Sequence, residues 1–588
     1  MDERGAMVTS RRAAERLVRE MTLAEKAAQL AQVDKSALTL EQVAEHGVGS
    51  VLSGGGGNPD PNTPAAWADM VGSFVEASAG SRLGIPILYG TDAVHGHSNV
   101  VGATVFPHNV GLGAAGDEGL VERVYRATAL ETAATGSRWD FAPTVAVSVD
   151  PRWGRSYESF GDHQGPVARL GAAAVRGLQG SRLDAPGAVA ACLKHYVGDG
   201  GTEWGTASRA EWTDWWNGWG THWHIDQGDT RIDEAALREI HLRPYADGVG
   251  AGALTVMASY SSWNGDKLHG HRRLLTEVLK RELAFGGFVV SDWMGLDQLD
   301  PDPYRCVVTA LNAGVDMVMI PFEYERFHRD VVEAAMSGEV PMGRIDDAVS
   351  RILAVKHALG LLGDGAAHPP SLDVIGCREH RDLAREAAAA SAVLLKHEGG
   401  LPLAGGRILV AGAGSDDVGL QCGGWTVQWQ GGSGPITPGT SILEALRNAL
   451  PDAEIVHDAD GRFGQNGSVG VAVVAEPPYA EGLGDRGDLR LSEEGVAVVE
   501  RLRDRVDRLV LVVLSGRPLV LGSIEERCDA IVAAWLPGTE GAGLADVLTG
   551  RRPFTGRLPR RWPASQDQVE DPAGAWAPRW DRGHGLAL

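Results

Sequence analysis

Two short segments carry side chains able to do covalent chemistry. One, Val289-Val290-Ser291-Asp292-Trp293, reads as a buried strand that ends in a carboxylate beside an aromatic platform. The other, Ala475-Glu476-Pro477-Pro478-Tyr479-Ala480-Glu481-Gly482-Leu483-Gly484-Asp485, reads as a turn that presents a second acid. A carboxylate pair drawn from distant parts of a chain fits glycoside hydrolysis, in which one acid attacks or steadies the sugar carbon and the other handles the leaving-group proton. Residue type alone leaves Glu476 and Glu481 in competition for the second role, since both flank Pro477-Pro478-Tyr479.

The elements that must position these acids follow from a regular alternation. From about residue 45 to 320, Ala/Leu/Glu-rich helical stretches alternate with short runs that are apolar on both faces: Ile85 to Tyr89, Ala188 to Leu193, Leu254 to Ala258, Gly287 to Val290 and Val315 to Ile320. That pattern belongs to a parallel sheet covered by helices. The runs stop at polar residues: Asp92 after the first, Lys194 and His195 after the second, Tyr260 after the third, Asp292 after the fourth. A (β/α)8 barrel forms its active site from residues at those strand ends. A striped helix, Ile345 to Lys356, ends near Gly360, and Gly363 to Pro370 reads as a linker. A second α/β alternation then starts with a helix from Arg381 to Leu395 and continues with strands at Ile408 to Gly412, Leu509 to Leu514 and Ala530 to Trp535. The expected organisation is a barrel over 1–360, a linker over 361–378 and an open α/β sandwich over 379–588.

Size agrees with two domains, since 588 residues exceed what one usual core supports. The formal charge of −23 argues against nucleic acid or an anionic membrane as partner, because both need basic patches. A neutral or cationic ligand fits better. The five cysteines are scattered, odd in number and without C-x-x-C spacing, which suits a reduced compartment and argues against zinc or a disulfide framework. Ser10 to Leu17 forms an amphipathic helix without the apolar core of a signal peptide, and no run of about 18 apolar residues follows. The expectation is a soluble, cytoplasmic protein. Gly412-Ala413-Gly414 lacks the third glycine of a dinucleotide loop and reads as a tight turn, and no Walker-type loop is present, so no cofactor is expected. His95 and His97 form an H-x-H pair without a matching ligand set, so they read as packing residues and no metal is assigned.

Longer motifs point to a family. Tyr89-Gly90-Thr91-Asp92-Ala93-Val94-His95-Gly96-His97, Asp150-Pro151-Arg152-Trp153-Gly154-Arg155, Lys194-His195-Tyr196-Val197-Gly198-Asp199-Gly200-Gly201, Ser259-Tyr260-Ser261-Ser262-Trp263-Asn264-Gly265, Val290-Ser291-Asp292-Trp293 and Cys422-Gly423-Gly424-Trp425-Thr426-Val427-Gln428-Trp429-Gln430-Gly431 follow one another in order. In these the chain resembles glycoside hydrolase family 3, in its two-domain β-glucosidase and exo-β-glucanase branch, from about Met21 to Leu586. The resemblance implies that Asp292 is the nucleophile and that Glu481, followed three residues later by Gly484-Asp485, is the general acid/base contributed by the second domain. It assigns Asp92, Arg155, Lys194, His195 and Tyr260 to the site of the terminal sugar, and Trp293 and Trp429 to an aromatic pair around the next one. Physical chemistry agrees with the division: Lys194 or Arg155 near Asp292 would keep it ionised, and an apolar setting near Tyr479 and Trp429 would keep Glu481 protonated. Retention of configuration follows if the two carboxyls stand about 5–5.5 Å apart. Glu476 is then a structural acceptor. The alternative for Lys194 and His195 is a buried ion pair with Asp199.

The implied activity is a retaining, exo-acting β-glucosidase on β-gluco-oligosaccharides or β-glucosides. Exo-β-glucanase and β-xylosidase are alternatives in the same family. A β-N-acetylhexosaminidase fits less well, because Lys194 to Gly200 lacks the proline and second histidine of that group's loop. A silent sugar-binding scaffold would have lost Asp292 or Glu481. The sequence departs from its relatives on the leaving-group side: Gln227 stands where some members have glutamate, and Met294 and Gln298 where those have glutamate and arginine. Six of the 17 tryptophans fall between Trp204 and Trp223, the last five at helical spacing weakened by Gly218 and Gly220. This insertion either packs a small aromatic core or overhangs the cleft. His222 and His224 with Asp226 are its weak metal reading.

Overall fold

The computed structural model describes residues 3–207, 223–362, 368–572 and 574–588. The chain divides into two compact units, one of Met1–Val100, Tyr125–Ala146 and Gly171–Ile375, the other of Val101–Val124, Val147–Leu170 and Gly376–Leu588. The segment carrying Arg155 thus clusters with the second unit. Among the described residues no helix is long and apolar enough to cross a membrane.

The first unit is built on eight short strands: β1 (Ala31–Asp34), β2 (Ser50–Ser53), β3 (Leu88–Thr91), β4 (Trp139–Asp140), β5 (Cys192–Tyr196), β6 (Thr255–Ala258), β7 (Phe288–Val290) and β8 (Val318–Met319). All are parallel to their neighbours. One sheet runs β8-β1-β2-β3-β4 and another β7-β6-β5. Parallel bridges from Trp139 to Ala190 and from Val290 to Met317 join the two sheets and close the barrel. Closure removes both sheet edges, which explains why strands of two to five residues suffice. The interior is filled, not hollow: Trp139 meets Phe141 and Phe288 edge-on at 5.0 and 5.1 Å, and its indole N–H donates to Thr255 Oγ1 at 2.9 Å. The strand expected from Ile85 starts only at Leu88, because Pro86 has no N–H to give a ladder.

The second unit holds, among the described residues, six strands: β9 (Val393–His397), β10 (Arg407–Ala411), β11 (Glu454–His457), β12 (Gly467–Ala475), β13 (Val506–Leu514) and β14 (Ala530–Trp535). Their order is β9-β14-β13-β12-β10-β11, with only β9 antiparallel. The helix expected to reach Leu395 stops at Ser391, and Val393-Leu394-Leu395 opens β9 instead. The alanine-rich stretch has helical propensity, but the buried apolar run is claimed by pairing with β14, so tertiary contact overrides the local preference. After β10 the chain turns at Gly412 with φ of +98°, where a Cβ would lie 2.1 Å from the carbonyl oxygen of Val473. This is a tight turn against β12, as its sequence implies, with no room for a larger residue.

Candidate active site

In the first unit Asp92, Lys194, His195, Tyr260, Asp292 and Trp293 come together, because Lys194 and His195 lie within β5 and the others closely follow β3, β6 or β7. The Lys194 ammonium lies 3.2 Å from the Asp92 carboxylate, and both side chains are buried. His195 faces the other way, with Nδ1 2.9 Å from Asp199 and Nε2 3.6 Å from Asp292 Oδ2. Asp199 therefore orients the imidazole toward Asp292, much as a carboxylate orients a catalytic or metal-bound histidine. Of the buried ion pair foreseen with Asp199, the structure has His195 but places Lys194 on Asp92.

Asp292 is held by its own backbone. Its Oδ1 accepts from the Trp293 N–H at 2.7 Å, and its N–H donates to His269 Nε2 at 3.0 Å. Burial, with the Lys267 charge adding, pushes the His269 pKa down to about 3. The neutral ring thus accepts at Nε2 and carries its proton on Nδ1. The Tyr260 hydroxyl donates to the Trp293 carbonyl, and Trp293 meets Phe322 edge-on at 5.6 Å. A carboxylate, an ammonium and an imidazole grouped around a second carboxylate can read the hydroxyls of a sugar ring: Asp92 accepts from them, and Lys194 and His195 donate.

In the second unit β10 and β12 are parallel neighbours, and the strand order reverses between them, β11 lying on one side and β12 to β14 on the other; ligands of open α/β sheets bind outside the carboxyl ends of strands at such a point. Both informative loops leave from there: Cys422 to Gly431 follows β10, and the Glu481 turn follows β12. Gln430 ties them together, accepting from the Ala480 N–H at 2.8 Å and donating to its carbonyl at 3.2 Å. Trp429 is half-buried beside this clasp, its carbonyl accepting from the Trp425 N–H at 2.9 Å. Glu481 opens a short helical turn with φ of +55°, and its Oε1 is 3.5 Å from Arg155 Nη1. The apolar setting expected for it is therefore interrupted by a guanidinium. Arg155 is in turn neutralised by Glu158, which takes Nε and Nη2 at 2.9 Å each and also accepts from the Trp425 indole at 3.1 Å. Glu476 is fully engaged elsewhere, accepting from Tyr479 at 3.0 Å and from Gly516 N–H, Arg486 and Arg517 at 3.3 Å.

Three positions that hold the candidate site residues or their backbone escaped the sequence reading. Glu158 is three residues past Arg155 on a short helical turn, a spacing that could have marked it. His269 and Asp140 carried no such signal. Asp140 Oδ1 accepts from the Ala93 N–H at 2.9 Å and so fixes the turn that presents Asp92. Burial raises the Asp140 pKa well above the ordinary value, against the opposing pull of the Ala93 hydrogen bond and of Lys194. His97 is a packing residue, 2.9 Å from the Thr135 hydroxyl and edge-on to Trp67. On the leaving-group side the two departures meet, since Gln298 donates to Gln227 at 2.9 Å and accepts from Lys267 at 2.8 Å. Of the tryptophan-rich stretch, Trp204 stacks on His224 at 4.7 Å, whereas Trp212, Trp215, Trp216, Trp219 and His222 lie outside the described residues.

Acids and cations at the mouth of a parallel barrel, and a further acid on a turn at a sheet's switch point, are the equipment of a glycoside hydrolase. The family model "Glycosyl hydrolase family 3 N terminal domain" matches residues 22–355, and "Glycosyl hydrolase family 3 C-terminal domain" matches residues 392–587. The chain belongs to glycosyl hydrolase family 3. It is 32% identical to the lysosomal beta glucosidase of Dictyostelium discoideum over 97% of this chain and 75% of that protein. The solved exo-1,3/1,4-beta-glucanase of a Pseudoalteromonas species superposes with a TM-score of 0.91 at 39% identity, covering 98% of this chain and 74% of the other. The beta-glucosidase of Listeria innocua gives a TM-score of 0.84 at 25% identity, covering 98% and 83%.

Proposed function

We propose that this chain is a retaining, exo-acting β-glucosidase that releases terminal β-D-glucosyl residues from β-gluco-oligosaccharides or β-glucosides. The observation that carries the reading is Asp292 at the end of a barrel strand, oriented by backbone bonds and faced by His195, next to the Asp92–Lys194 pair. In this mechanism Asp292 attacks the anomeric carbon while Glu481 gives its proton to the departing glycosidic oxygen. Glu481, now a carboxylate, takes a proton from water, and that water displaces Asp292 from the sugar. Asp92, Lys194, His195 and Arg155 read the hydroxyls of the terminal ring, Tyr260 braces the Trp293 backbone, and Trp293 and Trp429 offer flat faces to the next unit. The relatives named above support a glucoside as substrate. β-Xylosidase is the second reading, and a 29% identical beta-xylosidase from Formosa agariphila favours keeping it. Cytoplasmic residence belongs to the same proposal and is supported by five free cysteines; with one relative named lysosomal and another periplasmic, cell fractionation is its check.

The test is hydrolysis of p-nitrophenyl β-glucoside, β-xyloside and N-acetyl-β-glucosaminide in parallel, with Asp292→Ala and Glu481→Ala. Glucoside turnover should dominate and fall by at least about 10⁴-fold in Asp292→Ala. Glu481→Ala should spare the aryl glucoside, whose leaving group needs no proton, far more than a disaccharide. Equal losses on the two substrates would remove Glu481 from the acid role, and dominant xyloside turnover would replace the first reading by the second.

A further inference from the structure

The opposite end of the barrel carries a feature that hydrolysis does not use. Where the chain enters β7 and β8, a cavity of about 490 Å³ is lined by Arg272, Lys280, Arg281, Arg344 and Arg351, with Asp347 as the only acid on its wall among the described residues. This is a concentrated positive site in a chain of formal charge −23. The acids around it are already shared out. Asp316, fully buried, takes Lys280 at 2.7 Å and Arg344, and its other oxygen accepts from the Val289 N–H at 2.8 Å. Asp347 takes Arg344 at 2.6 Å, Arg351 at 3.1 Å and Arg11 at 2.6 Å. Four basic side chains thus divide two carboxylates among them. Burial pushes the Lys280 amine down to about 7, against the attraction of Asp316 and with smaller contributions from the Arg344 and Arg351 charges.

The parts of the cavity differ in freedom. Arg344 spends its donors on Asp316, Asp347 and the carbonyls of Leu311 and Val315, and Arg351 holds the carbonyls of Phe285 and Gly287, so both form a fixed positive floor. Arg272 and Arg281 stand exposed on the wall with no ion-pair partner among the described residues. The 17-residue helix Met342–Ala358 starts on the same cavity, at Pro341 and Gly343, without a side-chain cap, and its amide end adds to the field. A preset positive floor with two exposed guanidinium arms is suited to a compact dianion with several acceptor oxygens, and the volume leaves room for more than the ion itself. We infer that this cavity binds a phosphate group, free or carried by a hexose monophosphate.

The experiment uses the full chain, with sodium phosphate and glucose 6-phosphate each compared with sodium chloride at equal ionic strength, by calorimetric titration and thermal melting. Arg272→Ala/Arg281→Ala is the test variant, since both side chains are exposed and make no hydrogen bond or ion pair among the described residues. At least one of the two anions should bind and raise the Tm, and the double variant should weaken binding by about tenfold or more while glucoside turnover is unchanged. Tighter binding of the ester would identify the carried form, and equal or tighter binding of inorganic phosphate the free one. No binding beyond the chloride control, or the same affinity in the double variant, would overturn the inference. Neither result bears on Asp292 or Glu481, whose roles are read from glucoside turnover alone.

Discussion

Glu481 shares its oxygen with Arg155, and Arg155 is bound on two nitrogens by Glu158. If Glu481 is the general acid proposed above, a cation so close would pull its proton off too early; a carboxylate behind the cation offsets that pull. Glu158→Gln keeps the shape and removes the offset. In this variant the proton should leave Glu481 at lower pH, so the basic limb of the kcat profile for a disaccharide should move down by roughly one pH unit. The acidic limb should stay, since the substitution leaves the proposed nucleophile Asp292 untouched. A basic limb that does not move would mean that Arg155 already acts on Glu481 without restraint. The case also shows what a sequence reveals at this scale. Asp292 and Asp92 stood out as candidates because each lies just past a strand, where the sequence changes from apolar to polar, and Lys194 because it interrupts an apolar run, although the structure places it inside β5. Glu158, His269 and Asp140 were not, because their roles depend on which backbone or side chain happens to face them after folding.

At the scale of elements, the turn that presents Glu481 is set by close approach. Gly154 allows it: a Cβ there would lie 1.9 Å from the Glu481 carbonyl oxygen and 2.8 Å from the Gly484 backbone. Backbone atoms cannot swing aside as a flexible side chain can. Asp485 fastens the same contact by accepting from the Gly154 N–H at 2.9 Å, and Arg517 holds the Gly484 carbonyl at 2.6 Å. Gly154→Ala should therefore displace the turn by about 1 Å, lower kcat for disaccharides by roughly 10²-fold and cost about 1–3 kcal/mol of stability. Urea titration beside the kinetics checks both, and unchanged kinetics would show that the turn has slack. The Asp150 to Arg155 motif thus owes its glycine to packing that the spacing of residues does not display. Strands told a similar story. The barrel strands were readable as two-faced apolar runs, yet β9 was hidden at the end of an alanine-rich helix, since its reason for being extended is β14, far away in the chain.

For the whole molecule, acid should be a stronger stress than the carboxylate pairs alone would suggest, because burial pushes four histidines among the described residues far below their ordinary pKa. His97, His108 and His269 are pushed down to about 3 and His241 to about 4, each chiefly by burial. In the unfolded chain they titrate near 6.5. Between these values the unfolded state binds protons that the folded state refuses, so the stability they contribute is complete above about 6.5 and drains away as pH falls toward 3 to 4. Each histidine should remove about 1 kcal/mol by pH 5.5. Buried acids such as Asp140, whose pKa is raised, act in the opposite sense and lose stability as pH rises. A comparison of variants cancels them. His97→Gln retains an amide near the Thr135 hydroxyl but cannot take up a proton; it should lower stability at pH 7.5 and shrink the loss between pH 7.5 and 5.5 by about 1 kcal/mol, read from urea unfolding. An equal loss in variant and parent would mean that His97 is protonated inside the fold, and Trp67, edge-on at 5.4 Å, with the Thr135 hydroxyl would then be stabilising a cation rather than a neutral ring.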